Sequence, residues 1–541
     1  MSGILQLINT FPSGGFAVKN SLRFRSSTSA YLNRTSVASP TNNKIFTISM
    51  WVKRGLIGDS NFETLFGGYS SQGDTIGFGS GTNNGGDSIQ LRDSVVGNYN
   101  ILTTPVYRDP SSWYHLVIAI DTTQSTASNR VLIYVNGTQV TSFSSSTYPS
   151  QNYVFEWNSG STNSVIGRRS SSSGIWYLDG YMAEVNFVDG QALTPSSFGA
   201  FDGTSGVWQP TKYSGTYGTN GFYLKFTDTT STTTLCYDYS GNSNNWTPNN
   251  ISLTAGSTYD AMLDSPTNYD NGGTGVGNYC VMNPLDTSGS TINANLSVNT
   301  VGYSLYGTTR ATFGMSSGKW YWEITPTSFG DGGTIGISTA SAALSAQLGA
   351  NAYGWGYLNG GSTYTNSSAA SYGASYTTND VIGVAFDADA GTLTFYKNNA
   401  SQGTAFSGLT SGPYFPTISD NGGGSTGSVF AVTFGQRPFS YTPPTGYKAL
   451  NTQNISASTV TTSGSFTGNA STDGPFIWLN GLPSAMSING NSVTFGTQAD
   501  KLANGFKVRT SSSSYNSSGT NTYSITTTGA VFKYQIAQPN P

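Results

Sequence analysis

Charge is what this sequence has least of. Only 9% of its 541 residues are Asp, Glu, Lys or Arg, the two signs nearly cancel at 23 basic against 26 acidic residues, and no Lys/Arg cluster stands out. Phosphate recognition needs concentrated positive charge, so nucleic acid is not an expected partner. The same balance argues against an anionic membrane surface. Long apolar runs are missing as well: none approaches the roughly 18 to 20 residues that cross a bilayer, so no membrane insertion is expected. The opening MSGILQLINTFPSGGF has no basic start and no long apolar stretch, and does not read as a secretory signal. Cysteine is limited to Cys236 and Cys280. Their spacing suggests no metal site, and they read as two thiols in a reducing compartment without a disulfide.

Histidine is scarcer still. His115 stands alone, inside an alternating strand where it faces away from Tyr114 and Leu116, and without a placed Asp or nucleophile it defines no triad. Gly423-Gly424-Ser425-Thr426-Gly427 matches G-x-S-x-G, but a chain with 67 glycines and abundant serine produces that match by chance. The strand-to-helix context that gives the motif its mechanics is missing. Glycoside hydrolysis needs two suitably separated carboxylates, and 26 acidic residues leave a carbohydrate-active enzyme open as an alternative. Most Asp residues sit beside Gly, Asn or Ser, as Asp87, Asp389 and Asp420 do, and read as turn stabilisers. The expectation is therefore a protein with no catalytic residues and no cofactor. Calcium suits loop Asp, Asn and carbonyl oxygens, yet no dense D-x-D-x-D run is present, so no metal ligand is assigned.

What the chain does have is 67 Gly and 13% aromatics, including 33 Tyr and 28 Phe, among much Ser, Thr and Asn. Disorder goes with few aromatics and high charge. This composition instead reads as all-β, with strands of β-branched and aromatic residues separated by turns that need Gly, Asn and Ser. Phe46-Thr47-Ile48-Ser49-Met50-Trp51-Val52 alternates with period two, Trp113 to Asp121 follows, and Val131-Leu132-Ile133-Tyr134-Val135 runs into Asn136-Gly137, a strong hairpin signal.

The most informative stretch is Asp380 to Ala400, DVIGVAFDADAGTLTFYKNNA. Val381, Gly383, Ala385 and Asp387 point to one side and Ile382, Val384 and Phe386 to the other. Asp389-Ala390-Gly391 supplies a turn with a glycine free to take positive φ, Thr392-Leu393-Thr394-Phe395-Tyr396 returns as a strand, and Lys397-Asn398-Asn399 turns again. With Gly318-Lys319-Trp320-Tyr321-Trp322-Glu323-Ile324 upstream and Tyr414-Phe415-Pro416-Thr417-Ile418-Ser419 downstream, this run resembles the SPRY domain in three ordered segments. The resemblance implies a β-sandwich that binds partners through its loops.

Nearer the start, SLRF and YL at 21–32, FTISMWV, WYHLVIAID, VLIYVNG and GYMAEVNFVDGQALTPSSF resemble, in that order, the laminin-G-like, concanavalin A-like jelly roll. That fold is common among lectins and some members bind calcium, but fold alone does not establish sugar binding. Residues 447–541 carry their own alternation in Pro475 to Gly481 and Ser492 to Gly496 and look like a small C-terminal β-domain. Lys501 to Val508 and Phe466 to Asn469 resemble the ends of phage structural proteins that pair a laminin-G-like with a SPRY domain.

The expected organisation is therefore an N-terminal segment 1–19, a laminin-G-like sandwich 20–235, an ordered, strand-poor linker 236–300, a SPRY-like sandwich 301–446 and a C-terminal β-domain 447–541. The resemblance implies a non-enzymatic bacteriophage virion protein, a tail fibre or spike component made in host cytoplasm and displayed on the particle exterior. Its partners would be other virion proteins and a host cell-surface glycan or protein. Analogy with fibres suggests a homotrimer, although no heptads specify three strands. A capsid-surface decoration protein without a receptor role and a bacterial secreted adhesin are further alternatives. Trp355, Tyr357, Tyr364, Tyr372 and Tyr376 are the candidate binding residues, because Tyr and Trp offer large contact areas at low entropic cost. Trp355 and Tyr357 have a competing role in the sandwich core, so Tyr364, Tyr372 and Tyr376, in a more polar run, are the stronger surface candidates.

Overall fold

The computed structural model describes residues 16–528 apart from 36–37, 59–61, 69–72, 80–85, 94–96, 161–162, 172–173, 203–206, 268–274, 301–305, 331, 422–425, 455–458, 468–469, 471–475, 479–482, 495–498, 503–504, 509–511 and 519. The segment 1–15 and the serine of the G-x-S-x-G match therefore lie outside the described residues.

The chain is all-β, and nearly every strand pair is antiparallel. In the first sandwich one sheet runs in the order Thr138–Gln139, Val131–Val135, Tyr114–Asp121, Ile45–Arg54, Gly180–Asp189, Ser21–Phe24, Ala261–Met262. The other runs Phe143–Thr147, Asn100–Val106, Ser88–Asp93, Asp74–Phe78, Glu63–Gly68, Asn163–Ile166, Tyr31–Thr35, Thr247–Asn249. Alternation decides which face is which. Phe46, Ile48, Met50 and Val52 enter the core between the two sheets, while Trp51 faces outward together with Tyr181 and Ala183 of the neighbouring strand. The Asn136-Gly137 hairpin takes positive φ at both residues, 47° and 79°, as the turn signal requires.

The second sandwich is built the same way. One sheet runs Met282–Thr287, Thr309–Ala311, Phe415–Ser419, Thr334–Ser338, Gly354–Leu358, Ser362–Thr365, Ser368–Ser371. The facing sheet runs Thr291–Asn293, Ser297–Asn299, Val429–Thr433, Lys319–Ser328, Ile382–Asp387, Thr392–Lys397, Ala400–Phe406. Ile382, Val384 and Phe386 are fully buried, and the turn after them forms with Gly391 at φ 65° while Asp387 Oδ1 accepts from the amides of Asp389 and Ala390. Gly383 is required on the other face, since a Cβ there would lie 2.5 Å from the Tyr321 hydroxyl. Towards the C-terminus, two small sheets form from Thr459–Thr467, Thr520–Thr528, Pro483–Ile488 and Asn491–Ser492, and from Phe476–Trp478, Gly505–Val508 and Ala499–Leu502.

Residues 236–300 are more than a strand-poor linker. Thr247–Asn249 and Ala261–Met262 complete one edge of each sheet in the first sandwich, and Met282–Thr287, Thr291–Asn293 and Ser297–Asn299 belong to the second. Four of these five strands are only two or three residues long and leave no alternation to read. The outward face of the first sandwich, with Trp51, Trp113 and Tyr181, then joins the core of the second in one hydrophobic cluster with Tyr279, Val281, Ile292 and Leu296. Cys280 lies in this cluster and Cys236 in the core of the first sandwich, so the two thiols are free, buried and in different cores.

At the centre of the junction sits Lys53, fully buried. Its ammonium donates to Asp264 Oδ2 at 2.8 Å, Asn278 Oδ1 at 2.8 Å and the Tyr279 carbonyl at 2.9 Å, which uses all three protons. Asp264 also accepts from Trp113 Nε1 at 3.0 Å. Beside it, the hairpin turn at Ala294 and Asn295, both at positive φ, is plugged into the first sandwich. Tyr181 donates its hydroxyl proton to the Ala294 carbonyl at 2.8 Å, Asn295 Nδ2 donates to the Arg54 carbonyl at 2.7 Å, and Asp179 accepts from the Ala294 amide.

The junction makes a testable statement about cooperativity. Asp264→Ala strands a buried ammonium and should cost about 3–5 kcal/mol, whereas Lys53→Met combined with Asp264→Leu should recover most of that loss. Urea unfolding of the three proteins measures it. Limited proteolysis of the parent should not release two separate sandwiches, and clean cleavage within 236–265 would contradict the shared core.

Candidate binding site

The five aromatic residues picked out from the sequence do not form one surface. Tyr357 is fully buried and Tyr376 is 3% exposed. Tyr376 donates its hydroxyl to the carbonyls of Gly333 at 3.0 Å and Tyr357 at 2.9 Å, so the expectation of a surface ring there is overturned. It turns inward from a polar coil because the end of the sandwich needs filling. Its ring lies 5.1 Å from Tyr357, which in turn lies 5.1 Å from Phe395. Tyr372 is half-buried against the same group, edge-on to Tyr357, with its hydroxyl donating to the Gly403 carbonyl at 2.5 Å. Tyr364 is half-buried too and stands opposite Gly356, so it lies on the other face of the sheet from Trp355 and Tyr357.

Trp355 is the candidate that reaches an open site. It is half-buried at the start of its strand, packs edge-on against Tyr414 at 5.4 Å, and lines a cavity of about 490 Å³. Tyr353, half exposed at 50%, forms one wall, and Leu409, Pro413 and Tyr414 form another, with Ser341 and Ser411 supplying polar groups. The walls are loops that leave the ends of the strands Thr334–Ser338, Gly354–Leu358 and Phe415–Ser419, and backbone hydrogen bonds tie them down. Tyr414 exchanges backbone hydrogen bonds with Met315 at 2.7 and 2.9 Å, and Thr339 N donates to the Tyr353 carbonyl at 2.9 Å. An apolar, aromatic concavity with a few polar groups is the usual form of a binding site. Tyr353 and Tyr414 were missed as members. Tyr414 occurs in a stretch singled out from the sequence, and the signal that would have found Tyr353 is its place two residues before the candidate Trp355.

The acidic residues have other duties. Asp87 takes Arg54 at 2.7 Å and Arg108 at 2.5 Å, Asp389 accepts from the Gly318 amide at 2.8 Å, and Asp420 accepts from Thr300 Oγ1 at 2.9 Å. All three were expected to stabilise local turns and instead tie distant segments together. Among the described residues no three His, Cys, Asp or Glu side chains converge on a metal-holding group. His115 lies stacked between Trp51 at 4.7 Å and Trp208 at 5.9 Å. Trp208 Nε1 donates to His115 Nδ1 at 2.9 Å, so the imidazole proton is on Nε2 and faces Ser49 Oγ at 2.9 Å. Burial drives its pKa down to about 3. With its only lone pair held by an indole, the imidazole cannot accept the Ser49 proton, and the pair is structural.

Two protein families match. Residues 26–197 match the concanavalin A-like lectin/glucanases superfamily, and residues 319–437 match the SPRY domain. The first sandwich is thus a laminin-G-like domain and the second a SPRY domain. A stretch of 149 residues, 26% of the chain, is 32% identical to an ATP-dependent RNA helicase DDX1 of Xenopus laevis, of which it covers 18%. Another of 153 residues, 27% of the chain, is 31% identical to the E3 ubiquitin-protein ligase RKP of Arabidopsis thaliana, of which it covers 12%. The chain thus spans less than a fifth of these relatives' length. The crystal structure of the SPRY domain of human HERC1 is similar at 19% identity and a TM-score of 0.25, covering 28% of this chain and 96% of that one.

The burial pattern separates two kinds of tyrosine. Tyr376→Ala should destabilise the protein by about 3–5 kcal/mol, the cost of emptying a core aromatic site, while Tyr353→Ala should change stability by no more than about 0.5 kcal/mol. Thermal unfolding of both variants tests the assignment, and equal effects would refute it.

Proposed function

We propose that this chain is a non-enzymatic recognition protein, and that its SPRY domain grips a partner in the cavity between Tyr353, Trp355 and Pro413. The observation that carries this reading is an exposed ring, Tyr353, beside a half-buried one, Trp355, at the mouth of an apolar concavity formed by loops at the ends of paired strands. Rings held this way contribute contact area without losing much entropy on binding, which is why aromatic anchors dominate interface energetics. The all-β build and the neutral, hydrogen-bonded His115 support binding over chemistry.

In its finer form the proposal sets the chain on the exterior of a bacteriophage particle, as a fibre or spike component whose target is a glycan or protein of the bacterial surface, in three copies by analogy. The pairing of a laminin-G-like with a SPRY domain and the polar, weakly charged composition support this setting.

Replacing Tyr353 and Trp355 together by Ala should weaken adsorption of the purified chain to host cells by about tenfold or more, while Tyr364→Ala, on the opposite face, should leave it unchanged. Adsorption that survives the double substitution in a protein shown by its melting curve to be folded would remove the cavity from recognition and favour a decoration role. Immunogold labelling of particles tests the setting separately.

A further inference from the structure

The first sandwich carries a second cavity, of about 540 Å³, on the outward face of its sheet and independent of the SPRY site. Its floor is Glu184. Between Ala183 and Asn186 the strand Gly180–Asp189 bulges, so that Glu184 and Val185 together oppose Met50 alone, and Glu184 takes φ 49°. A non-glycine residue in that region is strained, and bulges of this kind re-aim side chains. The effect is to bring a carboxylate to a face that regular alternation would have denied it. Glu184 is 7% exposed. Its Oε2 accepts from the Tyr223 hydroxyl at 2.6 Å, and its Oε1 has no hydrogen-bond partner among the described residues, although it is not sealed off from solvent.

Around this carboxylate stand Lys19, Lys212 and Lys225. None of the three has an ion-pair partner among the described residues. The Lys225 ammonium rests 3.7 Å over the ring of Tyr239, which is 38% exposed and forms a wall of the cavity. In a chain so poor in charge, Lys212 and Lys225 lie close enough to act on the sunken Glu184 carboxylate, and Lys19 lines the same cavity. Burial raises the Glu184 pKa to about 7 against the pull of Tyr223, Lys225 and Lys212.

We propose that this cavity binds an acidic sugar unit, with the ligand carboxylate on the lysines and a ring hydroxyl donating to Glu184 Oε1. The alternatives fit less of the site. A neutral sugar leaves three cations without a role, and a bare sulfate or phosphate would meet the lysines but set its charge against Glu184. A ligand with an anion at one side and hydroxyl donors at the other satisfies both, and an aromatic wall suits the apolar face of a pyranose. The volume lies within the roughly 300–1,000 Å³ of small-molecule sites. Glu184 is the sole carboxylate among the lining residues. The acid and base pair of a glycosidase is therefore not assembled there, and the site holds its ligand without cleaving it.

Isothermal titration of the full chain with hexagalacturonate, sialyllactose, maltohexaose and sodium sulfate tests the assignment. At least one of the two acidic saccharides should bind, and Glu184→Gln and the double substitution of Lys212 and Lys225 by Ala should each weaken it about tenfold or more, the loss of at least one charge-assisted contact. Melting curves confirm that the variants are folded, and Glu184→Gln keeps the side-chain shape. Failure of both acidic saccharides to bind, binding that ignores the substitutions, or equal affinity for maltohexaose or sulfate would each overturn the proposal.

Discussion

One buried ammonium, that of Lys53, holds this molecule together. A charge without solvent is tolerated only if every proton finds an oxygen, and the three oxygens here come from Asp264, Asn278 and Tyr279, all supplied by the segment that leads from the first sandwich to the second. Satisfying one lysine of the first sandwich therefore fixes the path of the following chain. That path delivers the hairpin carrying Ala294 and Asn295 to the Asp179, Tyr181 and Arg54 contacts, and the junction closes over a shared apolar core.

The arrangement also accounts for a property of the first domain that its family match alone would not suggest. An outward sheet face is normally solvated and polar, yet this one presents Trp51, Trp113, Tyr181 and a neutral His115, all buried. Part of it is covered by the second sandwich, and part by the chain between Gln191 and Leu224, with Phe198, Tyr213, Tyr217 and Tyr223 packed over Val117 and Val188. The Glu184 cavity opens on this same face, where the covering chain and Phe16 leave a gap.

Much of this was legible in the residues. Period-two alternation placed the Phe46 to Val52 and Ile382 to Asp387 strands with the right faces inward, and Asn136-Gly137 and Asp389 to Gly391 announced their turns, because these features are local and repeat. What escaped notice was of another kind. Strands of two or three residues such as Ala261–Met262 have no period to detect and exist only because a neighbouring edge offers hydrogen bonds. Tyr376 is one inward ring in a polar coil, and only the cavity it fills marks it as core. Glu184 was invisible because a bulge shifts the parity of its strand by one, so the pattern that identified the rest of Gly180–Asp189 assigns it the wrong face.

The shared core has a consequence for how the two cavities would act together. Modules joined by a flexible tether search for their ligands independently, and the second binding event is governed by the volume the tether lets them explore. Here the sandwiches are locked in one relative orientation, so the spacing and angle between the Tyr353 and Glu184 cavities are constants of the molecule. A surface whose groups repeat at that spacing would be held by both at once, and one with a different repeat by only one. With both proposed sites occupied, the junction around Lys53 would work as a ruler, making avidity depend on the pattern of the target as well as on its chemistry.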